Sequence, residues 1–431
     1  MRKGMLFAVL VCMMGVCSCG RVVEDDGDIT EVFAGEEATE VGQVESSIVG
    51  LEEETKSGVI GEVEGETVGQ LEVEGGSEKE ELEMVTPEIT IRMGGDILLH
   101  DRVSLYARQE DGTYWYDGIF DDLEEEIEGA DLAIVNQEVI IAGEEFGVSG
   151  YPCFNAPFEM GDALVEAGFD VVCHGTNHAL DQGKDGLLSC IDFWKTEYPE
   201  IGVLGIHETA LEQDEIYIFE QDGIKVAVLN YTYGTNGIPL PADMPYAVDL
   251  LKKEQVVADI EKAEILADFT IVCPHWGTEY VLEETASQRQ WAEVFLDHGV
   301  DLVLGTHPHV IEPIEMLYDE ETGNEMLVYY SLGNFVNWTS SSGQGIANRM
   351  VGGMADVTIG RDAEGDVVVK DYAVTAVVTH LESRVNGVFT TRLSEYSQEQ
   401  ALKNEIVMQD PAFSKEYCVE LCDKVWGELW E

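Results

Sequence analysis

Positive charge is what this chain has least of. Its 431 residues carry 23 lysines and arginines against 86 aspartates and glutamates, a formal net charge of −63. Such a polyanion repels nucleic acid and anionic lipid surfaces, which argues against nucleic acid as a partner. It also repels a polyanionic substrate unless metal ions or a local basic patch intervene. A long apolar run is missing as well: the stretch from Met5 to Val16 is too short for a membrane span. Beyond Cys19 the cysteines (Cys153, Cys173, Cys190, Cys273, Cys418 and Cys422) form no C-x-x-C pair and no dense framework, so zinc ribbons and disulfide scaffolds fit poorly. Cys173 and Cys273 sit inside apolar runs and read as small buried residues.

The N-terminus sets the expected compartment. Arg2 and Lys3 precede the apolar run, which closes on Val16-Cys17-Ser18-Cys19. That closure resembles a bacterial lipobox, which implies a signal peptide over 1–18 and a lipid on Cys19, tethering the chain to the extracellular face of the cell membrane. A plain signal peptide cut nearby would give export without the tether. Gly20–Glu88 holds 22 acidic and 3 basic residues and no aromatic beyond Phe33. It cannot bury enough apolar surface to offset its ordering entropy, so 19–88 is expected to be a disordered acidic spacer. The remainder, 89–431, carries −46.

From Ile89 the texture changes. Seven short apolar runs each lead into a polar cluster: ITIRMGGD, DLAIVNQE, FDVVCHGTNH, KVAVLNYTY, DFTIVCPHWG, VDLVLGTHPH and MLVYYSLGNF. Between them FDDLEEEIEGA, PFEMGDALVEAG and ASQRQWAEVFLDHG space apolar residues three and four apart, and the last two end on a glycine suited to a helix C-terminus. Buried strands alternating with helices predict an α/β layered domain over 89–395. Residues 355–380 read as strands alone, so the sheet system is expected to finish antiparallel. Residues 396–431 are expected to be a helical extension with Cys418 and Cys422 on one face, a core stripe rather than a disulfide. The Gly- and Ser-rich stretch 337–353, with Arg349 its one cation, reads as a mobile loop able to close on substrate.

Asp96, Asn136 with Glu138, Asn177 with His178, His275, and His307 with His309 all follow apolar strand candidates. In α/β sheets ligands bind at that edge. GTHPHV puts two of the chain's nine histidines around Pro308, and an extended backbone there would aim both imidazoles at one point. An isolated H-x-H is more often a pair of solvated loop histidines, and PHWG alone more often a histidine packed under tryptophan. Five such clusters in series point instead to a divalent metal, and carboxylates mixed with imidazoles suit zinc, manganese or iron.

Taken in order, GGD (94–96), NQE (136–138), GTNHALDQG (175–183), HWGTEY (275–280), GTHPHV (305–310) and YSLGNF (330–335) resemble the CapA family of capsule and poly-γ-glutamate synthesis proteins, a branch of the calcineurin-like metallophosphoesterases. The resemblance covers about 89–390 and implies a four-layer α/β/β/α sandwich with a two-metal site at the strand ends. It implies Asp96 and His309 on the first metal, Glu138 with Asn136 in the bridging place, and Asn177, His275 and His307 on the second. His178 takes the place of the catalytic imidazole, oriented by Asp181. The chain departs from the superfamily's D-x-H, because Leu98 stands two positions after Asp96. That leaves the first metal short of a ligand and the number of ions at one or two; His100 is the substitute weighed, against a plain loop histidine.

Two functions are therefore expected. One is a membrane-anchored, metal-dependent hydrolase or transferase for an anionic envelope polymer or a phosphoester. The other is a non-catalytic accessory protein that binds or exports an anionic capsule polymer. A membrane capsule-synthesis complex is a plausible partner for either, and His178 with Asp181 favours catalysis.

Overall fold

The computed structural model describes residues 87–383 and 387–430. The leader, Cys19 and the spacer up to residue 86 lie outside the described residues.

Each of the seven apolar runs contains a strand. The first sheet opens with parallel neighbours β1 (Glu88–Ile97), β2 (Leu132–Asn136), β3 (Val171–Cys173) and β4 (Gly202–Leu204). The second sheet takes β5 (Tyr217–Gln221), β6 (Ile224–Thr232), β7 (Phe269–His275), β8 (Leu302–Leu304), β9 (Ile314–Tyr318) and β10 (Glu325–Tyr329). Its middle strands β6, β7, β8 and β10 run parallel, while β5 and β9 are antiparallel edges. The chain then returns to the first sheet. There β11 (Asn334–Val336) pairs with the end of β1, and β12 (Val351–Arg361), β13 (Val367–Ser383) and β14 (Gly387–Arg392) complete the expected antiparallel finish.

Strand periodicity separates two cores. Val226, Val228, Phe269, Ile271, Leu302, Leu304, Leu327 and Tyr329 face the first sheet. The alternate residues Ala227, Leu229, Val272, Val303, Met326 and Val328 face the helices Lys253–Leu266 and Ala286–Asp297, through Val256, Ile260, Ala292 and Phe295. The parallel strands of the first sheet are joined by crossovers containing the helices Glu159–Glu166 and Gly183–Glu197, which cover its other face. The result is the four-layer α/β/β/α order. The tail forms the helices Gln398–Lys403 and Lys415–Trp426, and Cys418 and Cys422 are free thiols buried in the larger core.

Local signals explain the helix ends. Thr285 and Gln288 form a reciprocal capping box at the start of Ala286–Asp297, and Gly299 follows its end with φ of 98°. Gln288 also donates to Glu312 Oε2 at 2.6 Å, deep between layers. Burial pushes the Glu312 carboxyl up to about 8, against the opposing effect of the Gln288 bond. The folded chain thus keeps a proton that an unfolded glutamate loses near pH ~4.3. Stability from this group is full below that pH and is lost as pH rises through about 8. Glu312→Gln keeps an acceptor for Gln288, and is expected to raise Tm by about 2–4 °C at pH ~8.5 with little change at pH ~4.5. Superimposable curves of Tm against pH for the two proteins would contradict this assignment.

Candidate metal site

The C-terminal ends of β1, β2, β3, β7 and β8 converge, and both sheets contribute. Asp96 lies one residue before the end of β1, Asn136 ends β2, and His275 ends β7. Glu138, Asn177, His178, His307 and His309 follow on the connecting loops, and all eight side chains are buried.

GTHPHV does not continue its strand as an extended segment. β8 stops at Leu304, and His307 and His309 have φ of 101° and 58°, in the left-handed region that costs a non-glycine residue about 1–3 kcal/mol. The cause is local. Gly305 lies so close to the Tyr330 backbone that a Cβ would sit 2.1 Å from its carbonyl oxygen. The His307 N–H leaves the ladder and donates to Asp96 Oδ2 at 3.1 Å. Both imidazoles still reach one cluster, with ring centroids 5.8 Å apart.

Glu138, His307 and His309 offer ligand atoms that all lie within 4.8 Å of one another. Asp96 borders them: its Oδ2 is 3.3 Å from His309 Nδ1, and its Oδ1 accepts from Asn136 Nδ2 at 2.8 Å. Glu138 Oε2 is 3.6 Å from His309 Nδ1, and its Oε1 is 3.7 Å from His275 Nε2. Asn177 and His275, placed by resemblance on a second metal, lie together, Asn177 Oδ1 3.0 Å from His275 Nε2. His178 holds Asp181 Oδ2 through Nδ1 at 2.7 Å, and the same oxygen accepts the Phe154 N–H at 2.7 Å. That leaves His178 Nε2 facing the cluster, 3.8 Å from Glu138 Oε1.

The electrostatics are those of a dry, crowded centre. Burial, then the neighbouring histidines, holds His275 and His307 well below the usual imidazole range. Burial raises the Glu138 carboxyl well above the usual carboxylate range, with Asp96 adding to the rise and His309 opposing it. At His309 burial acts downward, but Glu138 and Asp96 outweigh it and raise the imidazole to about 10.

The donor set fits a divalent cation. Both Glu138 oxygens, Asn136 Oδ1 and His307 Nδ1 are buried without a hydrogen-bond partner. A buried acceptor left unpaired costs about 1–3 kcal/mol, more when charged, and a divalent ion between Glu138 and His307 would supply the partner those two lack. Carboxylate, amide oxygen and imidazole together suit zinc, manganese or iron.

Several supporting residues were not singled out by the sequence reading. Thr306 Oγ1 lies 3.1 Å from His275 Nδ1, fixing that ring. Tyr233, 47% exposed, packs its ring tilted against His307, centroids 4.6 Å apart, and extends the strand-end pattern by one more residue. Asn334, within YSLGNF, donates to the His309 carbonyl at 3.0 Å and presents Oδ1 to His309 Nδ1 at 3.1 Å. Leu98 is buried among apolar residues, so the position of the missing histidine supplies no ligand. His100 is no solvated loop residue: its ring meets Phe154 edge-on at 5.2 Å, and burial, then His309 and His178, lowers it to about 3. His174 is structural, accepting from Trp194 Nε1 at 3.0 Å, and His207 and His380 pair with Asp249 and Tyr396.

Residues 90–339 match the family described as bacterial capsule synthesis protein PGA_cap. The chain belongs to this family. It is 31% identical over 189 residues to the PGA biosynthesis protein CapA of Bacillus subtilis (strain 168), an overlap covering 41% of this chain and 45% of that protein. To the capsule biosynthesis protein CapA of Bacillus anthracis it is 30% identical over 186 residues, covering 41% of this chain and 43% of that one. The match thus spans under half the length of these relatives. Among solved structures, a putative 5'-nucleotidase from Staphylococcus aureus in complex with alpha-ketoglutarate aligns with a TM-score of 0.41 at 16% identity, over 67% of this chain and 54% of that one. Purple acid phosphatase PPD1 from yellow lupin gives 0.33 at 10% identity, over 71% and 54%. Likeness at that level carries no functional argument. Among the described residues no helix is long and apolar enough to cross a membrane.

Proposed function

We propose that this PGA_cap protein is a metal-dependent hydrolase or transferase working at the outer face of a cell membrane, on an anionic envelope polymer or a phosphoester. The observation that carries the reading is Glu138, fully buried with both oxygens lacking a hydrogen-bond partner, set between His307 and His309 and facing an imidazole held by its own carboxylate. Glu138, His307 and His309 would hold a first ion, with Asp96 and Asn136 at its border, and His275 and Asn177 are the groups available to a second. A bound divalent ion supplies Lewis acidity and an activated water at neutral pH.

The chain's own residues do the rest. Asp181 accepts the His178 Nδ1 proton, which leaves Nε2 as the atom that exchanges a proton with the leaving group. The carbonyl bonds from Asn334 and the Asp96 contact to the His307 N–H hold both histidines in their strained backbone. Tyr233, Tyr280 and Trp338 line the approach. A lipid on Cys19 with the acidic segment behind it would place this site near the membrane, where capsule-synthesis partners and growing polymer meet.

The test is turnover by the full chain loaded in turn with Mn²⁺, Zn²⁺ and Fe²⁺, offered p-nitrophenyl phosphate, its diester and a γ-linked glutamate oligomer. Metal-dependent cleavage of any one is the expected result. A metal-loaded protein inert toward all three leaves the accessory role, binding or exporting an anionic capsule polymer.

A further inference from the structure

Arg349 differs from five other arginines among the described residues. Arg92, Arg102, Arg289, Arg361 and Arg392 each meet a carboxylate. Arg349 is half-buried, and no ion pair to its guanidinium occurs among the described residues. Its Cζ lies 3.4 Å from the centroid of the Tyr280 ring, and Nη1 donates to Thr339 Oγ1 at 3.3 Å. In a chain of −63 this partly desolvated guanidinium makes no close ion pair among the described residues, the Glu279 carboxylate acting on it from farther away.

Its location is the mouth of the metal site. The centroid of the Tyr280 ring beneath it lies 5.9 Å from that of His309, the two rings tilted to each other. The Arg349 carbonyl accepts from Asn334 Nδ2 at 2.9 Å and from Asn337 Nδ2 at 3.1 Å, so the amide that positions His309 also positions Arg349. The segment that carries it is anchored, contrary to a freely mobile loop. Asp410 Oδ2 accepts the N–H groups of Gly345 and Ala347, and Ala347 and Met350 are buried. Arg349 also lies past the 90–339 span that matches the family.

We propose that Arg349 is the recognition residue for an oxyanion of the substrate, a carboxylate or a phosphate, presented to the adjoining metal site. The assignment rests on the metal-site reading above and deepens it. It answers the electrostatic objection posed by the sequence: an anionic substrate approaching an acidic domain needs a cation at the point of entry. The guanidinium over Tyr280 carries N–H donors beyond the one given to Thr339, the fork geometry that a two-oxygen anion requires.

Calorimetric titration of the metal-loaded full chain with inorganic phosphate and, separately, with a γ-linked glutamate hexamer tests this. Arg349→Gln is expected to weaken one or both anions by about 10- to 100-fold. Arg349→Lys should restore part of the loss, since lysine keeps the charge without the fork. Metal per chain should stay at the wild-type value in both variants. The two anions separate a phosphate from a carboxylate substrate. A wild type that binds neither anion, or an Arg349→Gln protein that binds both as tightly as wild type or loses its metal, overturns the proposal. Anion binding that depends on Arg349 in a chain that takes up no metal would instead sink the metal reading and leave this one standing.

Discussion

His178→Ala is expected to lower turnover by about 10²- to 10⁴-fold while bound metal per chain stays unchanged. The reasoning starts from Asp181, whose Oδ2 is held from one side by the Phe154 N–H and accepts His178 Nδ1 from the other. Phe154 also packs edge-on against the His178 ring at 4.7 Å, so the imidazole has little freedom to turn. An imidazole fixed in this way, with Nε2 toward the cluster, can pass a proton to a leaving group. It lies outside the set Glu138, His307 and His309 whose atoms converge closely enough to hold an ion. Removing it should therefore separate chemistry from metal binding. Asp181→Asn should cost less, about 10- to 100-fold, because the ring stays in place while its orientation and basicity suffer. Steady-state rates on whichever substrate proves active, with metal content measured on the same samples, decide the point. Equal loss of metal and rate in His178→Ala would make His178 a ligand, and unchanged turnover would remove it from the mechanism.

The second large effect is on stability. Metal that binds the folded chain alone stabilises it by about 2.7 kcal/mol at a 100-fold excess over Kd. Chelation should accordingly lower Tm by several degrees, and Glu138→Gln should erase most of that response. Without metal the same variant should be more stable than wild type, because a neutral amide replaces a carboxyl buried with both oxygens unpartnered. This reversal of order is specific. A purely structural Glu138 would make the variant less stable with and without chelator, and thermal melts in both conditions distinguish the cases.

How far the sequence reaches can be judged residue by residue. The strands were legible because they are short, mostly apolar and end in polar residues; Leu132–Asn136 and Phe269–His275 are buried at every position, as such runs require. The gathering of Asp96, Glu138, His275, His307 and His309 was legible from position alone, since parallel strands put their C-terminal ends on one edge. The backbone of GTHPHV was not. Its kinks arise from the Tyr330 carbonyl beside Gly305 and from the Asp96 carboxylate, both distant in sequence. The nearness of Asn177 and His275, a contact between the two sheets, follows from the resemblance, which puts both on one metal, and not from strand position. Arg349 was visible as an isolated cation, but the Tyr280 ring and the Asn334 amide that give it a place could come only from the fold.

The most direct test of the central claim is metal per chain, measured by elemental analysis on the purified full chain after loading and dialysis. Wild type should retain at least one equivalent, Glu138→Gln and His307→Ala close to none, and a control at His298, the residue closing the helix Ala286–Asp297, the wild-type amount. A wild type that retains no metal, or a His307→Ala protein that retains all of it, would contradict the account.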